Sequence, residues 1–343
     1  MSRFWCGVTR PKTVVSSRTS ASSSFVSGRS LASIQRSAPR IPALRATDAE
    51  DLAEVLEERS VFGRVTPQQK RAMVGALQSR GHTVAMTGDG VNDVLALKDS
   101  DMGISMGSGS AATRSVAQLV LLDNRFATLP RVLAEGRRVI NNIERVANLF
   151  VVKTTYAVLL ALAVSALRVP YPFFPRHLTL VGTFSIGVPG FFLAMAPNVR
   201  RAAPGFVGRV LRFSIPAGIV AATATFAVYE VLRRDSGVSL EEARTGATVT
   251  LLAVGLVVLA KLARPLVPWK IGLVAAMGLS YLVVLNVGFL AEFFALEMPP
   301  TDTWWLFAAA IGVATVALIV GPRLIPWWGA GDAAQAVDPR VEE

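Results

Sequence analysis

Thr83-Val84-Ala85-Met86-Thr87-Gly88-Asp89-Gly90-Val91-Asn92-Asp93 carries an apolar run straight into a glycine-flanked acidic turn. Residues 83–86 read as a buried-type strand, and 91–98 as the helix that follows. Glycines on both sides of Asp89 permit a tight turn and close backbone approach to a phosphate. The Asp89 carboxylate suits a hard ion such as Mg²⁺. Asn92 can donate an uncharged hydrogen bond to a phosphoryl oxygen, and Asp93 can orient a neighbouring cation.

Outward from this turn the chain alternates helix and strand. Residues 48–59 form an acidic amphipathic stretch with Thr47 or Asp48 as cap, and 60–65 a short apolar strand. Residues 67–80 make a helix with Pro67 in its first turn, which places Lys70 one strand before the acidic loop. There its ammonium can serve as a point charge on phosphate. Residues 102–105 and 118–122 supply two further strands. Strands alternating with helices predict a parallel sheet, and 46–125 is long enough for only part of a doubly wound domain.

Beyond Asp123 the character changes. Six apolar stretches (149–167, 178–196, 213–232, 246–262, 271–290 and 304–320) are each long enough to cross about 30 Å of hydrocarbon. Residues 126–167 hold no proline except Pro130, so a stalk over 126–148 can run into the first span as one helix. Residues 322–343 form a tail. Arg131, Arg137, Arg138, Arg145, Arg200, Arg201, Arg209, Arg212, Lys261, Arg264, Lys270 and Arg323 fall on one side. Arg168, Arg176, Arg233, Arg234 and Arg244 fall on the other. The excess predicts cytoplasmic termini in a multi-pass protein of a bacterial plasma membrane.

Composition agrees with a membrane protein. Charged residues make up 17% of the 343 residues and hydrophobic ones 52%, against roughly 25% charged in soluble domains. Cys6 is the only cysteine, and His82 and His177 are the only histidines. That excludes a disulfide framework and a Cys- or His-rich metal centre. Of the net charge of +11, residues 1–45 supply +8, with seven Arg, one Lys, eleven Ser and no acid. This Ser/Arg tract reads as disordered. Its composition also allows a transit peptide, and the abrupt change at Ala46 favours a misassigned start or mistranslated leader. It lacks the folded basic face with stacking aromatics that nucleic-acid binding needs.

Thr66-Pro67-Gln68-Gln69-Lys70, the loop Gly88-Asp89-Gly90-Val91-Asn92-Asp93, Asp101-Met102-Gly103-Ile104, Leu121-Leu122-Asp123 and Gly136-Arg137-Arg138-Val139-Ile140-Asn141-Asn142-Ile143 resemble P-type cation-transporting ATPases. The resemblance covers about residues 47–325 and corresponds to the C-terminal part of such a pump. The membrane half looks most like the actinobacterial cation-transporting ATPase E group, for which calcium is the suggested ion. The implied fold is a partial haloacid-dehalogenase-like (Rossmann-like) α/β domain followed by an all-α six-helix transmembrane domain. By this resemblance Lys70 contacts the phosphoryl group, Asp89 binds Mg²⁺, and Asn92 and Asp93 complete the pocket, with Asp93 a further Mg²⁺ ligand. Gly88 and Gly90 shape the phosphate loop. ATP is the substrate of the complete pump.

No Asp-Lys-Thr-Gly-Thr occurs in the sequence, nor the Thr-Gly-Glu loop of an actuator domain. The nucleotide domain and four spans are missing as well, so the expected partner is an N-terminal half and the chain alone is expected to be inactive. The alternatives are a membrane-tethered phosphatase with the same loop, and a non-enzymatic membrane subunit or broken reading frame. The phosphatase needs its own nucleophile, and Asp48 and Asp51 lack a following Thr-Gly turn.

For the ion pathway the candidates are Lys153, Thr154 and Thr155 in the first span, Thr183 and Ser185 in the second, and Asn286 in the fifth. Lys153, one turn into its span, can also snorkel to the interface. Where calcium and sodium pumps carry Asn and Asp, this chain has Gly182 and Ile186. Gly187-Val188-Pro189-Gly190 keeps a helix-breaking proline that can free carbonyls. No Cys-Pro-Cys appears, which argues against a soft-metal pump.

Overall fold

The computed structural model describes residues 3–6, 14–15, 49–58, 61–63, 65–198, 200, 203 and 205–329. The chain divides into two compact units, Met1–Pro130 and Arg131–Glu343.

In the first unit, β4 (Val84–Gly88), β5 (Met102–Met106) and β6 (Leu119–Leu121) form a parallel ladder. β1 (Arg3–Cys6) pairs antiparallel to β4 at its other edge. β2 (Val14–Val15) pairs with β3 (Val61–Phe62) in a separate two-stranded sheet. The expected strand over 60–65 is therefore a two-residue pairing outside the main sheet. β1 and β2 fall within the segment read as leader, and the remainder of residues 1–45 lies outside the described residues.

Around the sheet pack α1 (Ala49–Glu58), α2 (Pro67–Ser79), α3 (Val94–Asp99) and α4 (Ala111–Val116). The start of α2 is fixed by a capping box. Gln69 N–H donates to Thr66 Oγ1 at 3.2 Å, and Thr66 N–H donates back to Gln69 Oε1 at 2.9 Å. Pro67 at the first helical position gives up no bond there. Leu52, Leu56, Phe62, Met73, Leu77, Met86 and Leu97 are buried together as the core.

The second unit is all-helical. Its members are α5 (Leu129–Leu167), α6 (Pro175–Gly182), α7 (Val188–Met195), α8 (Phe206–Arg234), α9 (Leu240–Leu262), α10 (Pro268–Asn286), α11 (Gly288–Phe294), α12 (Trp304–Leu324) and α13 (Pro326–Gly329). Six stretches are long and apolar enough to cross a membrane, with α6 and α7 together making the second. Between them Thr183–Gly187 is a single π turn. Pro189 has no N–H to close the ordinary ladder, and the turn widens to accommodate it. The fifth apolar stretch, expected to reach Leu290, breaks after Asn286 where Val287 adopts extended backbone.

Close packing here uses small residues. A Cβ on Gly218 of α8 would lie 2.4 Å from Thr155 Cβ on α5, so only glycine lets those helices meet at this point. The expected class holds: a partial α/β domain followed by six apolar helices of spanning length.

Candidate functional site

β4 delivers its loop at the C-terminal end of the parallel sheet, the edge where open α/β sheets take ligands. Thr87 and Gly88 are buried while Asp89 is exposed. Val91–Asp93 winds into one 3-10 turn, and Asp93 N–H donates to Gly90 C=O at 2.9 Å. That turn folds Asp93 back beneath the loop. A Cβ on Gly88 would lie 2.5 Å from Asp93 Cβ, so this glycine is required by close approach.

Lys70, in the first turn of α2, places Nζ 2.5 Å from Asp93 Oδ1, and both side chains are almost wholly buried. Residues 23 positions apart thus form one ion pair under the acidic loop. Asn92 and Asp89 stay exposed above it, and Lys98 is exposed on α3.

A second loop supports the first. Ser110 N–H donates to Asp89 C=O at 2.9 Å, and Thr113 Oγ1 donates to the same oxygen at 3.4 Å. Ser110 also caps α4 through its hydroxyl, which accepts from Thr113 N–H at 3.1 Å. Neither residue was anticipated; the only trace in the sequence is Gly107-Ser108-Gly109-Ser110. Asp101 pins the start of β4, accepting from Val84 N–H at 2.7 Å and Gln78 Nε2 at 3.2 Å. The Val84 N–H bond, ahead of the Gln78 contact, holds the Asp101 carboxyl below its ordinary pKa.

Among the described residues no group of three or more His, Cys, Asp or Glu gathers as a closed metal cage. The donor set still fits Mg²⁺, which keeps several waters and takes one or two carboxylates plus phosphate oxygens. Asp89 is the exposed carboxylate of that set, while Asp93 is already engaged by Lys70.

The chain is 52% identical over 295 residues to the "Calcium-transporting ATPase CtpE" of Mycolicibacterium smegmatis, covering 82% of this chain and 37% of that one. It is 36% identical over 233 residues to the "Probable cation-transporting ATPase exp7" of Streptococcus pneumoniae, covering 66% and 30%. Over 218 residues it is 33% identical to a "Calcium-transporting ATPase" of Bacillus subtilis, covering 61% and 24%. The chain is a homologue of the C-terminal part of P-type cation-transporting ATPases. It spans about a third or less of the length of the curated relatives it matches. No family model matches it.

In the six-span half of this P-type ATPase homologue, most of the anticipated ion-pathway groups bond their own helices. Thr154 donates to Phe150 C=O at 3.0 Å, Thr155 to Val151 C=O at 2.8 Å and Thr183 to Thr179 C=O at 2.9 Å. Ser185, buried, donates to Val181 C=O at 2.6 Å. Asn286, exposed, donates to Leu282 C=O at 2.8 Å. Such bonds to the carbonyl four residues back satisfy the hydroxyl or amide locally. Lys153 differs: its Nζ lies against Gly182, beside the π turn, where an added Cβ would be 3.4 Å away.

Other polar ties were missed in the sequence. Arg209 grips Glu144 in a two-pronged ion pair, Nε to Oε1 at 3.0 Å and Nη2 to Oε2 at 2.7 Å. Asn142 donates to Ala194 C=O at 3.0 Å and Ala196 C=O at 2.6 Å, satisfying the open end of α7. Ser214 donates to Asn148 Oδ1 at 2.8 Å.

Proposed function

We propose that this chain is the C-terminal portion of an ATP-driven P-type cation transporter. It contributes a Mg²⁺-dependent phosphate pocket and the last six spans, and works with a separate or preceding N-terminal half. The observation that carries this is the buried Lys70–Asp93 pair set beneath an exposed Asp89 at a strand-to-helix turn. In this reading Asp89 holds Mg²⁺, which neutralises charge on the transferred phosphoryl group. Asp93 fixes the Lys70 ammonium at the pocket floor, and Asn92 donates to a phosphoryl oxygen. Calcium is the transported ion in the names of two relatives, and it is the ion proposed here.

Alone the chain has no Asp-Lys-Thr-Gly-Thr acceptor, and it hydrolyses no ATP. The lysine and arginine excess supports a reading with the Arg145 end of the bundle and both termini on the cytoplasmic side of a bacterial plasma membrane. Reporter fusions after Pro67 and after Gly329 then both read cytoplasmic.

The decisive experiment co-expresses this chain with the N-terminal remainder of the Mycolicibacterium smegmatis relative. Calcium-stimulated ATP hydrolysis and an acid-stable phosphorylated band are expected only with both parts, and are lost with Asp89→Ala. Phosphorylation of this chain by itself would overturn the reading.

A further inference from the structure

The depth of Lys153 in the six-span unit follows from its neighbours. Toward one end, Arg145 donates to Arg264 C=O at 3.1 Å and Arg209 holds Glu144. Toward the other, Tyr229 donates to Pro170 C=O at 2.7 Å and Arg244 to Tyr171 C=O at 3.2 Å. Lys153 sits eight residues past Arg145, about 12 Å along the helix. Gly182, which its ammonium touches, sits twelve residues from Ala194, about 18 Å from that end. Half of a hydrocarbon core is about 15 Å. Counted from these polar ends, and not from the start of the apolar stretch at Leu149, the ammonium stands near mid-depth, and its stem runs toward Gly182.

At that depth the ammonium has no hydrogen-bond or ion-pair partner among the described residues. The spans offer it no carboxylate. Glu144 and Glu230 lie toward opposite ends, and each is held by arginine, Arg209 for one and Arg233 with Arg234 for the other. Lys153 is only half-buried, and Thr154 and Thr183, the sequence neighbours of the contacting pair, are exposed. Gly187, at the far end of the π turn, is exposed too. An unpaired cation in hydrocarbon costs several kcal/mol and is ordinarily paired within the bundle. A half-open polar patch beside a widened turn is tolerated at this depth where protein covers it or where it lines a water-filled cavity.

We propose that this face of the six-span unit seats a further transmembrane helix, one that presents a carboxylate to the Lys153 ammonium at mid-bilayer depth. The inference rests on the reading of the chain as part of a longer transporter. Charge complementarity selects the occupant, because every other strong charge near the spans already has its counter-ion or lies at an end. Gly182 completes the seat, since the absent side chain leaves Nζ room to turn toward the incoming helix.

The test uses the full chain in lipid nanodiscs, labelled for energy transfer with synthetic leucine–alanine transmembrane peptides. The peptides carry a single Glu or a single Gln at their centre. The Glu peptide is expected to associate at least tenfold more tightly than the Gln peptide. Lys153→Met, which removes a charge from hydrocarbon at nearly constant volume, should erase that preference; Lys153→Arg and Lys98→Met should keep it. Equal association of the two peptides, or a Glu preference that survives Lys153→Met, overturns the proposal. The readout needs neither ATP nor calcium, so its failure and the failure of the transport reading are separable.

Discussion

Gly88 lies directly under the side chain of Asp93, close enough that a methyl group at residue 88 would stand 2.5 Å from the Asp93 Cβ. Gly88→Ala should therefore push Asp93 off Lys70 and cost about 1–3 kcal/mol, the scale of overpacking a filled site. Gly75, inside α2 with nothing within 4 Å of an added Cβ, is the control of opposite sign. Gly75→Ala should stabilise by about 0.5–1 kcal/mol. Thermal unfolding of the two variants checks both signs, and a neutral Gly88→Ala would remove close approach as the reason for that glycine.

The Lys70–Asp93 pair should behave as a unit. Removing one member of a buried pair costs about 3–5 kcal/mol, whereas replacing both with apolar groups is far milder. Asp93→Leu alone should thus be worse than Asp93→Leu combined with Lys70→Met. Lys98→Ala, exposed on α3, should stay within about 0.5 kcal/mol of the parent. In the reconstituted pump Lys70→Ala should slow phosphorylation by about 10²–10³-fold, and Lys98→Ala should not. Additive single and double variants in unfolding experiments would contradict the pairing.

Much of the turn is legible in the sequence, because its information is local. The glycines, Asp89 and Asn92 mark a tight strand-to-helix turn within seven residues, and Pro67 marks the first turn of α2. What the sequence cannot state is that Lys70 and Asp93 touch, since that contact depends on how α2 crosses the sheet. The Ser110–Asp89 tie is hidden for the same reason. α4 is not legible in the sequence because Ala111–Val116 is too short for a helical period to emerge. In the membrane half, hydropathy marks all six spans but is blind to the Glu144–Arg209 clasp and to the break after Asn286, which are settled by neighbouring helices.

Asp101 makes the α/β unit sensitive to acid with a definite sign. Its folded pKa lies below the ordinary 3.8, chiefly through the Val84 N–H bond. The stabilisation is therefore present at pH above 3.8 and disappears as pH falls through the lowered folded value. Asp101→Ala should reduce hydrogen-exchange protection across residues 84–88 near neutral pH. The gap between variant and parent should close in acid. A gap that stays constant across the titration would point to lost packing instead of lost charge.

Arg209 binds Glu144 with two separate nitrogens, a geometry that a lysine cannot reproduce. Arg209→Lys and Arg209→Met should both lower the unfolding midpoint of the six-span unit in detergent, with Arg209→Lys recovering less than half of the loss. Full recovery by Arg209→Lys would reduce the contact to a point-charge attraction.

Asn142 has its own mechanical consequence. One amide on the long helix α5 holds two backbone oxygens at the C-terminal end of the second span, Ala194 and Ala196. Sliding α5 along its axis cannot then be gradual, because any small slip breaks both bonds and offers nothing in return. This contact pins the joint: it resists creep of α5 past the end of the second span and gives way only when both bonds are broken together.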